Sequence, residues 1–97
     1  MPKLLFTDEA RSVLQDLASN ANHEKKLRKV RKALALLEAN PRHPGLNSHK
    51  WTSVRGEDGQ DVWDSYVENN TPSAWRIFWH YGPDRDQITV VTIGPHP

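Results

Sequence analysis

The first half of the chain passes from a short apolar run to two stretches with helical periodicity. Lys3–Phe6 is apolar enough for a strand. Thr7 is placed to cap a helix, because apolar residues then recur at i, i+3, i+4 and i+7 up to about Ser19-Asn20. A second helix is predicted from residue 22 to residue 39. It ends at Asn40-Pro41, since the residue before a proline is pushed out of the helical region.

In the second half the period changes from helical to alternating, which indicates strands. The change follows a loop at residues 42–47. Turn-forming residues then divide the chain at 56–59, 69–73 and 82–84. The four predicted strands are residues 49–54, 61–68, 74–81 and 87–93.

The order β-α-α-β-β-β-β with short later connections predicts one α+β domain over residues 1–97. A helical hairpin should cover one face of an antiparallel sheet. No repeat, linker or low-complexity segment divides the sequence. The predicted core lies between hairpin and sheet and contains Leu14, Leu17, Leu27, Val30, Leu34, Leu37, Trp75, Ile77, Val91 and Ile93.

Composition narrows the class of protein. The chain has 97 residues, 36% of them hydrophobic, and no cysteine. A disulfide framework is therefore excluded, and the reducing cytoplasm is the expected location. No apolar run approaches the roughly 18–20 residues of a membrane span, and the apolar N-terminal stretch is too short for a signal peptide. Scattered histidines without thiolates are not the ligands of a structural zinc site, so we expect no metal.

Charge is distributed unevenly although the net charge is only +1. Six basic residues fall between Lys25 and Lys32, on the second predicted helix. Five acidic residues fall between Glu57 and Glu68. The protein should therefore have one basic element and one acidic stretch.

Several segments in this order resemble the RelE/ParE superfamily of bacterial toxins. They are the first strand leading into a helical hairpin, the segment Asn40-Pro41-Arg42-His43-Pro44-Gly45-Leu46, the strand Trp75-Arg76-Ile77-Phe78-Trp79, and the ending Ile93-Gly94-Pro95-His96. The resemblance covers nearly the whole chain. It implies a type II toxin that a cognate antitoxin holds silent, with DNA contacted only through that antitoxin.

Nuclease members of this family cut messenger RNA inside the ribosome without a metal or cofactor. The 2′-hydroxyl attacks the adjacent phosphate, which requires a base, an acid and a nearby positive charge. The resemblance assigns the charge to Arg76, and assigns acid–base roles to His49 and His96 in the manner of YafQ-like members. Tyr66 stands where those members have a further histidine, and Lys50 is the expected phosphate contact.

The basic cluster of the second helix has two interpretations. It is either a solvated face or a surface that docks onto ribosomal RNA phosphates, with binding that weakens steeply as salt rises. The residues of the RNA-binding interpretation are Lys25, Lys26, Arg28, Lys29 and Lys32.

Acidic residues near Arg76 count against ribonuclease activity. Strand alternation predicts that Asp64, Tyr66 and Glu68 share a face, where lysine-dependent relatives have cations. Arg76 therefore has a structural interpretation, pairing with Asp64 or Glu68, which is compatible with serving a phosphate. Unneutralised acids there would raise the barrier to cleavage. The alternatives are a ParE-like protein that poisons a topoisomerase by binding, or a toxin fold that has lost catalysis and acts as an interaction module.

Overall fold

The predicted order of helices and strands is confirmed in a computed structural model that describes residues 2–68 and 73–95. Neither helix in these two ranges has both the length and the apolar character that a bilayer crossing requires. The helices are α1 (Asp8–Ala18) and α2 (Glu24–Ala39), and the strands are β1 (Lys3–Phe6), β2 (His49–Arg55), β3 (Asp61–Tyr66), β4 (Trp75–Tyr81) and β5 (Gln87–Pro95).

Local capping chemistry sets where the helices begin. The Thr7 hydroxyl accepts a hydrogen bond from an amide of the first turn of α1 and donates one to the Val91 carbonyl at 2.6 Å, which ties α1 to β5. α2 begins at Glu24, two residues later than predicted. The reason is that Asn20 first caps a 3₁₀ turn at Ala21–His23.

The five strands form one sheet in the order β1-β5-β4-β3-β2. The pairs β2–β3, β3–β4 and β4–β5 are antiparallel, whereas β1 pairs in parallel with β5. The α+β class and the helical hairpin are as predicted, but the sheet is mixed rather than wholly antiparallel. β1 pairs with β5, which is distant in sequence, and the pattern of four residues in β1 does not show whether that pairing is parallel or antiparallel.

The apolar core lies between the helix pair and one face of the sheet, and a β-bulge decides which β5 residues reach it. Phe78 pairs with Thr92 and Trp79 with Val90, so Val91 is the extra residue. Val90 faces the helices, whereas Val91 lies on the opposite face. The prediction that Val91 belongs to the core is therefore wrong. The buried core cluster is Ala10, Leu17, Val30, Ala33, Leu34, Leu37, Leu46, Ile77, Trp79, Ile88, Val90 and Ile93.

Candidate active site

The sheet face turned away from the helices brings together three of the predicted catalytic residues. In the register, His49 is opposite Asp64, and Tyr66 is opposite Arg76. Directly paired residues point to the same side of a sheet, and Asp64 and Tyr66 alternate on one strand. We call the cluster of His49, Asp64, Tyr66 and Arg76 the open-face site.

The backbone fixes the tautomer of His49. Its Nδ1 lies 2.6 Å from the carbonyl oxygen of Asn47, which can only accept, so Nδ1 carries the proton. In the neutral ring Nε2 then presents a lone pair. Asn47 reaches this geometry in the left-handed region, at φ 50°, which asparagine tolerates better than most residues. His49 is exposed and stacks with Tyr66 at 6.1 Å between ring centroids, so an accessible base lies on this face.

Arg76 is oriented by an ion pair and an aromatic ring. Its Nη1 donates to Asp64 Oδ1 at 2.7 Å, and its guanidinium carbon lies 3.7 Å from the centroid of the Tyr66 ring. The side chains of Arg76 and Asp64 are only 15% and 5% exposed. Nε is buried without a hydrogen-bond partner among the described residues. Because a guanidinium has five N–H donors, Arg76 has donors left for a further anion.

Glu68 does not share this face, so that part of the alternation was predicted wrongly. The amides of Val67 and Glu68 both donate to the Trp75 carbonyl, at 3.0 and 3.3 Å, which interrupts the alternation just after β3. The Glu68 side chain reaches α2 instead, with Oε1 2.9 Å from Lys26 Nζ and Oε2 3.8 Å from Lys29 Nζ. The hydrogen bond from Lys26 holds the pKa of Glu68 below its ordinary value, against the opposing effect of burial.

The basic residues predicted to bind RNA lie on α2, in the layer across the sheet from the open-face site. Lys26 and Lys29 contact Glu68, and Arg28 pairs with Glu24 at 3.3 Å. The remaining two, Lys25 and Lys32, are exposed and have no ion pair within the described part of the chain.

Lys50 is not brought to the open-face site. It pairs in register with Trp63, whose side of the sheet is the one that packs on the core, so it points away from the side of His49. Its Nζ lies 3.3 Å from Asp61 Oδ2 and 5.5 Å from the centroid of a Trp63 ring. Lys50 is therefore placed to hold β2 to β3 rather than to contact a phosphate at Arg76.

His96 lies outside the described residues, so its predicted role as acid stays a prediction. The last described part of β5 does run beside the site, because Gly94 pairs with Arg76. Within residues 2–68 and 73–95, no group of three or more His, Cys, Asp or Glu side chains could hold a metal ion.

A serine pair, buried at Ser65 and half-buried at Ser48, supports the site and was not predicted. Ser65 Oγ lies 2.6 Å from Ser48 Oγ and accepts a hydrogen bond from Trp79 Nε1 at 2.7 Å. The pair anchors the residue before His49 to β3. Its only signal in the sequence is a polar residue at an inward-facing strand position, which does not identify a partner.

Comparison with known proteins identifies the fold through structure alone. No protein-family model and no curated sequence matches the chain. A YoeB/ParE toxin from Agrobacterium tumefaciens superposes with a TM-score of 0.70 at 12% identity, over 98% of this chain and 99% of that one. The RelE–RelB complex from Pyrococcus horikoshii gives 0.65 at 14% identity, over 97% and 93%. The chain has the RelE/ParE toxin fold.

A third RelE/ParE-fold structure, the DinJ–YafQ complex from E. coli, has a TM-score of 0.66 at 17% identity and covers 99% of this chain and 94% of that chain. The predicted resemblance to RelE/ParE toxins is therefore confirmed at the level of the fold. Two of these three neighbours were solved in complex with a second protein, RelB or DinJ.

Proposed function

We propose that this RelE/ParE-fold chain is the toxin of a type II toxin–antitoxin system and cuts messenger RNA at the ribosome without a metal. The observation that carries the proposal is the open-face site. It combines an exposed imidazole with a free Nε2 lone pair, His49, and an oriented guanidinium, Arg76, on neighbouring strands. These groups are the base and the positive charge that a 2′-hydroxyl attack on a phosphodiester requires, and the acid is the third group needed.

In the proposed reaction His49 Nε2 takes the proton of the 2′-hydroxyl. The 2′-oxygen bonds to the adjacent phosphorus, and the bond from phosphorus to the 5′-oxygen of the next nucleotide breaks. That oxygen takes a proton from an acid, for which His96 is the candidate, and a 2′,3′-cyclic phosphate remains. Arg76 stabilises the charge on the phosphorane oxygens, while the Tyr66 ring packs against the guanidinium.

The proposed protein partner is a cognate antitoxin, with DNA contacted only through it. RelE and YafQ, which share the fold, were solved in complex with RelB and DinJ. The open face also leaves Val54 exposed beside Trp51 and Phe78, apolar surface that a partner segment would cover. The proposed site of action is the cytoplasm, on translating ribosomes.

The test is induced expression followed by mapping of messenger RNA 5′ ends on ribosomes. His49→Gln and His96→Ala should each lower the cleavage rate by about two to four orders of magnitude, the usual contribution of a positioned base or acid. Arg76→Lys should retain only part of the rate, because a point charge replaces a planar fork. His23→Gln, an exposed histidine on the 3₁₀ turn, is the matched control and should cut like the wild type. Full cleavage by His49→Gln would refute the mechanism.

One contact favours a second candidate, a non-catalytic binding protein. Asp64 already occupies Arg76 at 2.7 Å, so a phosphate would have to share the guanidinium with a carboxylate. If growth arrest persists in His49→Gln and no new messenger RNA ends appear, topoisomerase poisoning becomes the better account. Accumulation of cleaved DNA–topoisomerase complexes would then identify it. Absence of both arrest and cleavage would indicate an interaction module.

A further inference from the structure

A groove of about 530 Å³ runs between α2 and the loop before β2 and ends at Tyr66. Lys29 and Lys32 line its α2 side, and His43 lines the loop side. Tyr66 belongs both to this groove and to the open-face site, where its ring contacts Arg76. The groove therefore adjoins the candidate active site along the edge of the sheet.

His43 is fixed in the tautomer opposite to that of His49. Its Nδ1 accepts a hydrogen bond from the Gly45 amide at 2.9 Å, so Nδ1 is unprotonated. The proton of the neutral ring must then be on Nε2, which is a donor whether or not the ring is charged. Within the described residues, no acceptor is hydrogen-bonded to this nitrogen.

The charge in the groove is positive although Glu68 also lines it. Glu68 Oε1 is occupied by Lys26 Nζ at 2.9 Å and by the Trp75 amide at 3.0 Å. Lys26 is thus the nearer partner of Glu68, and Lys29 shares it only at 3.8 Å. Lys32 has no ion pair within the described residues, so the groove keeps a net positive charge for a second anion.

We propose that this groove binds a phosphate of the RNA strand adjacent to the one cut at the open-face site, with Lys29, Lys32 and His43 as donors. The inference rests on the proposed function, because it needs an RNA phosphate at Arg76. An RNA strand held at Arg76 continues in both directions, and the end of the groove at Tyr66 adjoins Arg76. A neighbouring phosphate of that strand is thus the ligand anion that would reach these donors.

The test uses a substitution that removes one donor and keeps the loop. His43→Asn retains an acceptor for the Gly45 amide, since asparagine is a preferred cap residue, but it lacks the far N–H. Lys32→Gln removes one charge from the groove. Arg31→Gln is the matched control, because Arg31 is the adjacent exposed cation on α2 and does not line the groove.

The probe is a 2′-O-methyl RNA decamer, which cannot be cut, and its binding is followed by fluorescence anisotropy from low to moderate salt. Lys32→Gln should reduce the slope of log K against log salt by about 0.7, the value for one phosphate contact on a single strand. His43→Asn should weaken binding about 3- to 10-fold, the range of a lost hydrogen bond. Arg31→Gln should leave the slope unchanged.

Four outcomes separate the groove from the nuclease proposal. If the wild type cuts no messenger RNA but the groove variants lower the slope, the nuclease fails and the phosphate site stands. If the wild type cuts and the variants change neither slope nor KM, the groove proposal is overturned. It is also overturned if the wild type does not bind the decamer at low salt. An unchanged slope combined with weaker binding of an acidic antitoxin segment would assign the groove to a protein instead.

Discussion

The ion pair between Asp64 and Arg76 allows a quantitative test of how the open-face site is held. Both side chains are largely buried and their atoms are 2.7 Å apart. Asp64→Asn keeps the shape but leaves the guanidinium without its counter-charge. Removing one partner of a buried pair costs about 3–5 kcal/mol, because the remaining charge stays desolvated. In a domain of this size, each kcal/mol corresponds to about 4–8 °C, so Tm should fall by roughly 12–40 °C.

A double-mutant cycle separates the pair from its surroundings. Asp64→Asn, Arg76→Gln and the double variant are unfolded in urea and followed by circular dichroism. The double variant should lose less stability than the sum of the single variants, by about 1–3 kcal/mol, because neither charge is left alone. Asp61→Asn is the control: Asp61 is 40% exposed and pairs with Lys50 and Arg55, whose side chains are also exposed, so the loss should stay within about 1 kcal/mol.

Two results would refute this reasoning. Additivity of the single variants within about 0.5 kcal/mol would show that Asp64 and Arg76 are not energetically coupled. An Asp64→Asn variant as stable as the wild type would show that water or other side chains solvate Arg76 adequately. In either case the orientation of Arg76 could not be attributed to Asp64.

Two further predictions concern the core and the ion pair between Glu68 and Lys26 of α2, which we call the clamp. Leu37→Ala, at a fully buried position, should lower the free energy of unfolding in urea by about 2–5 kcal/mol, and a loss below about 1 kcal/mol would contradict the packing between α2 and the sheet. Because the pKa of Glu68 is lowered in the folded state, its contribution to stability is present above its ordinary value of 4.5 and is lost as pH falls through the folded pKa. Glu68→Gln should therefore lose less stability than the wild type in urea titrations between about pH 5 and pH 3, and parallel losses would exclude the clamp.

The elements of the fold could be predicted because each one has a clear apolar period, whereas single-residue irregularities could not. The extra residue Val91 and the paired amides of Val67 and Glu68 each reverse the direction of the side chains that follow. A bulge depends on cross-strand partners, so alternation along one strand cannot reveal it. The placement of Lys50 is different: it follows His49 directly, and alternation alone puts the two on opposite faces.

Much of the candidate site could be predicted from the resemblance to a known family. The resemblance picked out His49, Tyr66 and Arg76, and the register brings them together. The tautomers could not be predicted. They depend on a carbonyl of Asn47 at one histidine and on an amide of Gly45 at the other, which only the path of the loop brings into place.

The bulge at Glu68 also changes the electrostatic objection to catalysis. Of the two acids expected beside Arg76, it turns Glu68 away, so that Glu68 pairs with Lys26 on α2. Asp64 remains, but its charge is matched by Arg76. Catalysis then requires one side chain to hold a carboxylate and a phosphate together. Arginine can do this, because its five donors lie in a planar fork, whereas the single ammonium of lysine cannot keep both in place. Arg76→Lys should therefore raise the activation free energy of cleavage by more than it lowers the free energy of unfolding. Equal changes in the two free energies would mean that Arg76 serves only Asp64.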